Sequence, residues 1–166
     1  MGNVARIAVL LTTMIACVGC DQVTKSAARH QLDPGATVSL FHDVVRLQRV
    51  ENPGAFLSMG DSLPRSVRTI VFTFGGVVLV GGAMLWAARA RRMNTYQTVG
   101  AALICSGGLG NLIDRLTHGG YVTDFLNVGI GPLRTGIFNV ADFVLLVGLG
   151  IIVLSGAGSA RTAAPG

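Results

Sequence analysis

The sequence predicts an all-α integral membrane protein with four transmembrane helices and a small extracytoplasmic β-sheet and loop region. Two observations carry that expectation. Of the 166 residues, 51% are hydrophobic and only 13% are charged, with a mean hydropathy of +0.60; soluble domains carry about 25% charged residues. The apolar residues also gather in four runs, each near the roughly 20 residues a helix needs to cross a bilayer. The length suits one membrane-embedded domain over residues 1–166, and the 23 glycines are compatible with close helix packing in a membrane.

The first span is expected at about 4–22, continuing as a more polar helix through Gln22-Val23-Thr24-Lys25. The same run has a second reading as a cleaved signal peptide, because Arg6, the apolar stretch and Cys17 or Cys20 form a crude lipoprotein cleavage box. An outer loop follows at about 30–64. Within it Asp33-Pro34-Gly35 reads as a turn, and Thr37–Phe41 and Val44–Val50 as short strands of a sheet on the outer membrane surface. The second span is expected at about 67–89 and the third at about 96–116, with Arg89, Arg91 and Arg92 in the turn between them. A second outer loop at about 117–137 holds Gly119-Gly120, Gly129 and Gly131-Pro132, and folds the chain back so that Asp124 approaches Asp142. The fourth span is expected at about 138–159, before a disordered tail at about 160–166.

Charge orients this arrangement. Arg6, Arg89, Arg91, Arg92 and Arg161 fall on one side with no acid, while all eight acids fall on the other with the remaining basic residues. The dense Arg89–Arg92 turn favours cytoplasmic termini. The net charge of +5 suits an anionic inner leaflet. No basic patch interleaved with aromatics appears, so no nucleic-acid partner is expected.

The chemistry gathers at Asp124 and Asp142, each at the edge of an apolar segment. A carboxylate at such a position is costly unless paired, hydrated or used. Burial and a nearby second carboxylate both favour the protonated form, so two adjacent acids can share a proton and activate a water. Asp142 has an alternative role, anchoring the start of its helix where the dipole favours negative charge. Asn111, Asp114 and Arg115 follow Gly107-Gly108-Leu109-Gly110 and read either as a polar scaffold at the site or as a helix end with a local Asp114–Arg115 ion pair. The adjacent cation makes Asp114 a poor proton shuttle. Asn52-Pro53-Gly54-Ala55-Phe56 is a turn by composition, and Phe56-Leu57 beside a membrane could cover a substrate. Asp21 and Lys25 are four apart, the spacing of a stabilising helical pair. Asn139 lies three before Asp142 on the same face.

Other motifs carry less. Cys17-x-x-Cys20 lacks a second Cys or His pair and reads as small core residues, Cys105 is isolated, and His30, His42 and His118 lack metal-ligand spacing. No metal or cofactor is expected.

Taken together, Asp21-Gln22-Val23-Thr24-Lys25, Asn52-Pro53-Gly54-Ala55-Phe56, Gly107-Gly108-Leu109-Gly110-Asn111-Leu112-Ile113-Asp114-Arg115, Val122-Thr123-Asp124-Phe125 and Phe138-Asn139-Val140-Ala141-Asp142 resemble bacterial lipoprotein signal peptidase, or signal peptidase II. The resemblance covers essentially the whole chain. It implies a multi-pass protein of the bacterial cytoplasmic (inner) membrane, with cytoplasmic termini and an extracytoplasmic active site. The implied activity is that of an aspartic hydrolase that cleaves signal peptides from diacylglyceryl-modified prolipoproteins. Asp124 and Asp142 match the catalytic pair. Asp21, Lys25, Asn52, Gly54, Phe56, Asn111, Asp114, Arg115 and Asn139 match substrate-binding or site-supporting positions. The expected partners are lipid-modified prolipoproteins and membrane lipids, and a monomer is expected. Two departures stand out: many members carry a second small residue before the aromatic at Phe56, and an aliphatic residue where Thr123 stands. The competing class is a non-enzymatic polytopic protein, a proton-coupled transporter or lipid-binding scaffold using the same acids; no inverted repeat supports a transporter.

Overall fold

The computed structural model describes residues 2–54, 63–90 and 93–161. Helix α1 (Asn3–Gln31) is apolar in its first half and buries Asp21, Lys25 and Ala28 in its second. It is followed by strands β1 (Val38–Leu40) and β2 (Val45–Asn52). The turn between them holds Phe41, His42 and Asp43 at positive φ, a conformation unusual for three successive non-glycine residues. The Asp43 carboxylate ties the turn down, accepting from Ser39 Oγ at 2.8 Å and from Arg46 at 2.7 and 2.6 Å. Those hydrogen bonds from Arg46 and Ser39 hold the Asp43 carboxyl well below the usual carboxylate range.

A continuous helical rod follows: α2 (Arg65–Arg68), a π-helical turn (Thr69–Phe74) and α3 (Gly75–Arg89). Helix α4 (Thr95–Thr117) starts on a reciprocal cap. Asn94 Oδ1 accepts from Gln97 N at 2.8 Å, and Gln97 Oε1 accepts from Asn94 N at 3.1 Å. Strands β3 (Val122–Ile130) and β4 (Leu133–Arg134) and helix α5 (Val140–Arg161) complete the described chain. Residues 162–166, part of the expected disordered tail, lie outside the described residues, as do 55–62 with Phe56.

The segment 117–137, expected as a glycine-bearing loop, contains β3 and β4. The four strands form an antiparallel sheet in the order β1-β2-β3-β4, with β3 at its centre beside β2. The glycines that suggested a loop lie at its corners: Gly119, Gly120 and Gly131 all have positive φ. Between them Val122, Thr123, Phe125, Val128 and Ile130 are strand formers.

Helix α4 is the centre of the bundle and packs against α5, α1 and α3. Its contact with α5 is a glycine contact: a Cβ on Gly148 would lie 2.7 Å from the Gly100 carbonyl oxygen, so a larger residue would force the helices apart. At the opposite end from the sheet, the buried Arg6 guanidinium donates to the Ala90 carbonyl and joins the start of α1 to the end of α3. Among the described residues two helices are long and apolar enough to cross a membrane, Asn3–Gln31 and Arg65–Ala87; Val140–Gly156 is apolar but shorter. Large apolar side chains face outward along them, including Ile15, Val78, Leu79 and Leu154, each more than 70% exposed. Such surfaces mark contact with lipid or a partner rather than water.

Candidate active site

The start of α5 organises the site. Asn139 caps the helix and Asp142 is its third residue. The Asn139 side-chain oxygen accepts from Asp142 N at 2.9 Å, and Asp142 Oδ2 accepts from Asn139 N at 3.3 Å. This is a capping box built from an amide and a carboxylate. The second amide of the helix is satisfied from another element, because Ala141 N donates to Asp21 Oδ1 of α1 at 2.9 Å. Asp142 therefore does anchor its helix, and the anchoring fixes where its carboxylate points.

Phe138, the preceding residue, pairs with Leu126 of β3, its amide donating to the Leu126 carbonyl at 2.9 Å. That bridge brings β3 to the head of α5. Asp124, two residues back on β3, points at the same cluster. Its Oδ1 accepts from Asn139 Nδ2 at 2.6 Å and its Oδ2 from Asn52 Nδ2 at 2.8 Å. Asn139 thus touches both carboxylates. Both are buried, Asp124 at 2% and Asp142 at 9% exposure. Burial pushes the Asp124 carboxyl up to about 7; the hydrogen bonds from Asn52 and Asn139 oppose the rise and the negative charge of Asp142 adds to it.

Asn111 of α4 supports Asp142, donating from Nδ2 to Asp142 Oδ1 at 2.8 Å. Its orientation is set by Lys25, which is fully buried and has only donors. Lys25 Nζ donates to Asn111 Oδ1 at 2.8 Å, and Asn139 Nδ2 also reaches that oxygen at 3.1 Å. The Asn111 oxygen must face these donors, which leaves its NH₂ for Asp142. Lys25 is held in turn by Asp21 Oδ2 at 2.9 Å and Asp114 Oδ2 at 3.3 Å. The Asp21–Lys25 helical pair is therefore part of a buried network across α1, α4 and α5. Gly110 must be small here, since a Cβ would lie 2.6 Å from Asp21 Oδ2.

Asp114 and Arg115 do not form the local ion pair that the sequence suggested. Successive helical residues point in different directions. Asp114 faces Lys25 and, at 3.7 Å, Arg29. Arg115 faces the β2 end, where its Nη2 donates to the Gly54 carbonyl at 2.7 Å; its guanidinium lies 6.0 Å from the Phe72 ring centre. Gly54 N donates to Asn52 Oδ1 at 2.9 Å, so Arg115 steadies the turn that aims Asn52 at Asp124. Of the expected site residues all except Phe56 are described, and all of these lie in one connected cluster. Sequence reasoning missed Arg29, Glu51 and the bonding role of Thr123; Glu51 and Thr123 show only as polar residues beside apolar strand residues, and Arg29 only as a cation one helical turn beyond Lys25 on α1.

An apolar cavity of about 390 Å³ opens beside Asp142, Asn111 and Arg115. It runs between α3, α4 and α5 and is walled by residues including Val71, Phe72, Leu79, Val80 and Leu145.

Comparison with known proteins gives this site a context. Residues 13–157 match the family described as Signal peptidase (SPase) II. The lipoprotein signal peptidase of Leifsonia xyli subsp. xyli is 35% identical over 152 residues, covering 88% of this chain and 66% of that protein. The lipoprotein signal peptidase of Mycobacterium tuberculosis is 34% identical over 154 residues, covering 90% and 71%. The chain therefore spans about two thirds of the length of these relatives. A solved structure described as a bacterial membrane enzyme at 2.3 Å resolution superposes with a TM-score of 0.84 at 23% identity, covering 96% of this chain and 94% of that one; it shares the fold. The matched family and these relatives make this chain a member of the signal peptidase II family.

Proposed function

We propose that this protein is a membrane aspartic endopeptidase that removes signal peptides from diacylglyceryl-modified prolipoproteins, with Asp124 and Asp142 as the catalytic pair. The observation that carries the reading is two buried carboxylates held by one asparagine, one of them, Asp142, lining the polar end of an apolar cavity. Family membership supports the substrate class.

In this mechanism a water held between the pair attacks the carbonyl preceding the lipid-modified cysteine. Asp124, whose carboxyl is pushed up to about 7 by burial, enters protonated, polarises that carbonyl and later helps protonate the leaving amine. Asp142 enters ionised, oriented by Asn111 and its own helix cap, and takes the proton from the water. The cavity between α3, α4 and α5 receives acyl chain, which brings the scissile bond to the carboxylates. Asn52, Asn111 and Asn139 position the pair, Asp21, Lys25 and Asp114 hold the scaffold behind it, and Arg115 with Gly54 aims Asn52.

The same reading has the α1 rod, the α2–α3 rod, α4 and α5 crossing a bacterial cytoplasmic membrane as four spans of one domain. The Arg89–Arg92 turn is cytoplasmic and the sheet extracytoplasmic, and the working unit is a monomer among membrane lipids. The test is cleavage of a lipid-modified prolipoprotein by purified enzyme. Asp124→Asn and Asp142→Asn are each expected to abolish turnover in a folded protein, and normal turnover by either removes it from the pair.

A further inference from the structure

Thr123 precedes Asp124, so on β3 the two side chains point to opposite faces. Asp124 faces the site, and Thr123, fully buried, faces a separate polar group. Thr123 Oγ1 donates to Glu51 Oε2 at 3.0 Å, across the β2–β3 pair. The same oxygen accepts from Arg29 Nη1 of α1 at 3.0 Å. Glu51 Oε1 accepts from Arg49 Nε at 2.9 Å, and Arg49 Nη1 donates to the Arg29 carbonyl at 2.9 Å. The four residues close a ring, Thr123–Glu51–Arg49–Arg29. The Thr123 amide donates to Asp114 Oδ2 of α4 at 3.0 Å, so this one residue is bonded to α1, α4 and β2.

The ring sits where the sheet needs it. The β2–β3 ladder runs in register from Val45↔Val128 to Leu47↔Leu126, then shifts, resuming as Val50↔Asp124, Glu51↔Thr123 and Asn52↔Val122. Three steps along β2 match two along β3, which is a bulge. Register beyond a bulge is not inherited from the ladder before it, and a slip by one residue turns side chains to the other face. Asn52 and Asp124 lie beyond the bulge, and their 2.8 Å contact exists only in this register.

We propose that Thr123 is a positioning residue: the Thr123–Glu51–Arg49–Arg29 ring locks the register of β2 against β3 beyond the bulge and thereby keeps Asn52 on Asp124. The inference rests on the reading of Asp124 as one of the two catalytic acids. The hydroxyl, not the methyl, is the working group.

The test compares Thr123→Val, which keeps the shape and removes the hydroxyl, with Thr123→Ser, which keeps the hydroxyl. Thr123→Val is expected to lower kcat about tenfold or more with KM little changed, because a small misplacement of a reacting group is costly. The limb of the pH–rate profile set by Asp124 moves to higher pH, since the Asn52 hydrogen bond that opposes the rise is weakened. Thr123→Ser retains the wild-type kcat and limb. If Thr123→Val fails to accumulate, Glu51→Ala, at a partly exposed position, opens the ring and is expected to move kcat and the limb in the same direction. A readout independent of catalysis separates this inference from the catalytic assignment. In a background lacking the three native cysteines, the pair Asn52→Cys and Val122→Cys reports register by disulfide formation, expected to be slower with Thr123→Val and unchanged with Thr123→Ser. Equal cross-linking in all three overturns the proposal, as does a Thr123→Ser enzyme as impaired as Thr123→Val, or a Thr123→Val enzyme with wild-type kcat and profile. Slower cross-linking together with full activity of Asp124→Asn upholds the register lock and instead removes the catalytic assignment.

Discussion

Replacing Asp124 by Asn makes a stability prediction that reverses sign with pH. In the folded protein the Asp124 carboxyl is raised from 3.8 to about 7, chiefly by burial. Between these values the folded state holds a proton that the unfolded chain has released, so stability falls as pH rises from about 4 to about 7 and is level above. For a carboxyl raised that far, about a few kcal/mol is lost by pH 8. Asn cannot ionise and escapes that loss. It has its own cost, because Asp124 accepts from two amide NH₂ groups, those of Asn52 and Asn139, and Asn offers one oxygen. One donor would face another, at about 1–3 kcal/mol for a buried group left without a partner. The variant is therefore expected to melt below the wild type at pH 4 and level with it or above it at pH 8, while being inactive at both. Thermal melts of purified protein in detergent, stepped across pH 4–8, measure the difference; groups titrating equally in both proteins cancel. A gap between variant and wild type that stays constant across the range would refute the reasoning about the buried carboxyl.

Three further outcomes follow from the geometry. Lys25→Met leaves the buried carboxylates of Asp21 and Asp114 facing each other's network without their shared cation, and is expected to cost about 3–5 kcal/mol, read as a large fall in melting temperature together with loss of cleavage; a melt within error of the wild type would count against a structural Lys25. Arg115→Ala frees the Gly54 carbonyl and is expected to reduce kcat by loosening Asn52, with Asp114 still paired to Lys25, whereas a fall in stability as large as that of Lys25→Met would restore the discarded Asp114–Arg115 pairing. Cysteine labelling of Asn94→Cys, in a background without native cysteines, is expected only from the cytoplasmic side, and labelling only from outside would invert the topology.

What the sequence made legible was local pattern. Apolar runs exposed the helices, and Asp124 and Asp142 stood out because acids are costly in apolar surroundings. The helix spacing of Asp21 and Lys25 was visible, but their link to α4 and α5 was not, since contacts across 86 or 120 residues leave no periodicity to read. The Asp114–Arg115 pairing misled because adjacency in sequence is not adjacency on a helix. Strand β3 was hidden by its corner glycines. Thr123 was conspicuous as a departure from the family pattern, yet nothing local could show that Arg29 and Glu51 meet on its hydroxyl.

The order of charges around the site has a physical logic. Among the described residues, the side chains bonded directly to the Asp124 and Asp142 carboxylates are the amides Asn52, Asn111 and Asn139. The cations stand one residue further back. A guanidinium or ammonium directly on either carboxylate would favour the ionised form of both, against the shared proton that the proposed mechanism uses. An amide orients a carboxylate through a hydrogen bond without bringing a full charge. Lys25 can be fully buried there, with Arg29 half-buried beside it, because Asp21 and Asp114 face them, two carboxylates against two cations. The hydrogen-bonded path from Lys25 to Asp142 runs through Asn111, whose oxygen it engages and whose NH₂ it thereby aims. Orientation passes to the carboxylate through the amide, while Asp21 and Asp114 oppose the field of the ammonium that sets it.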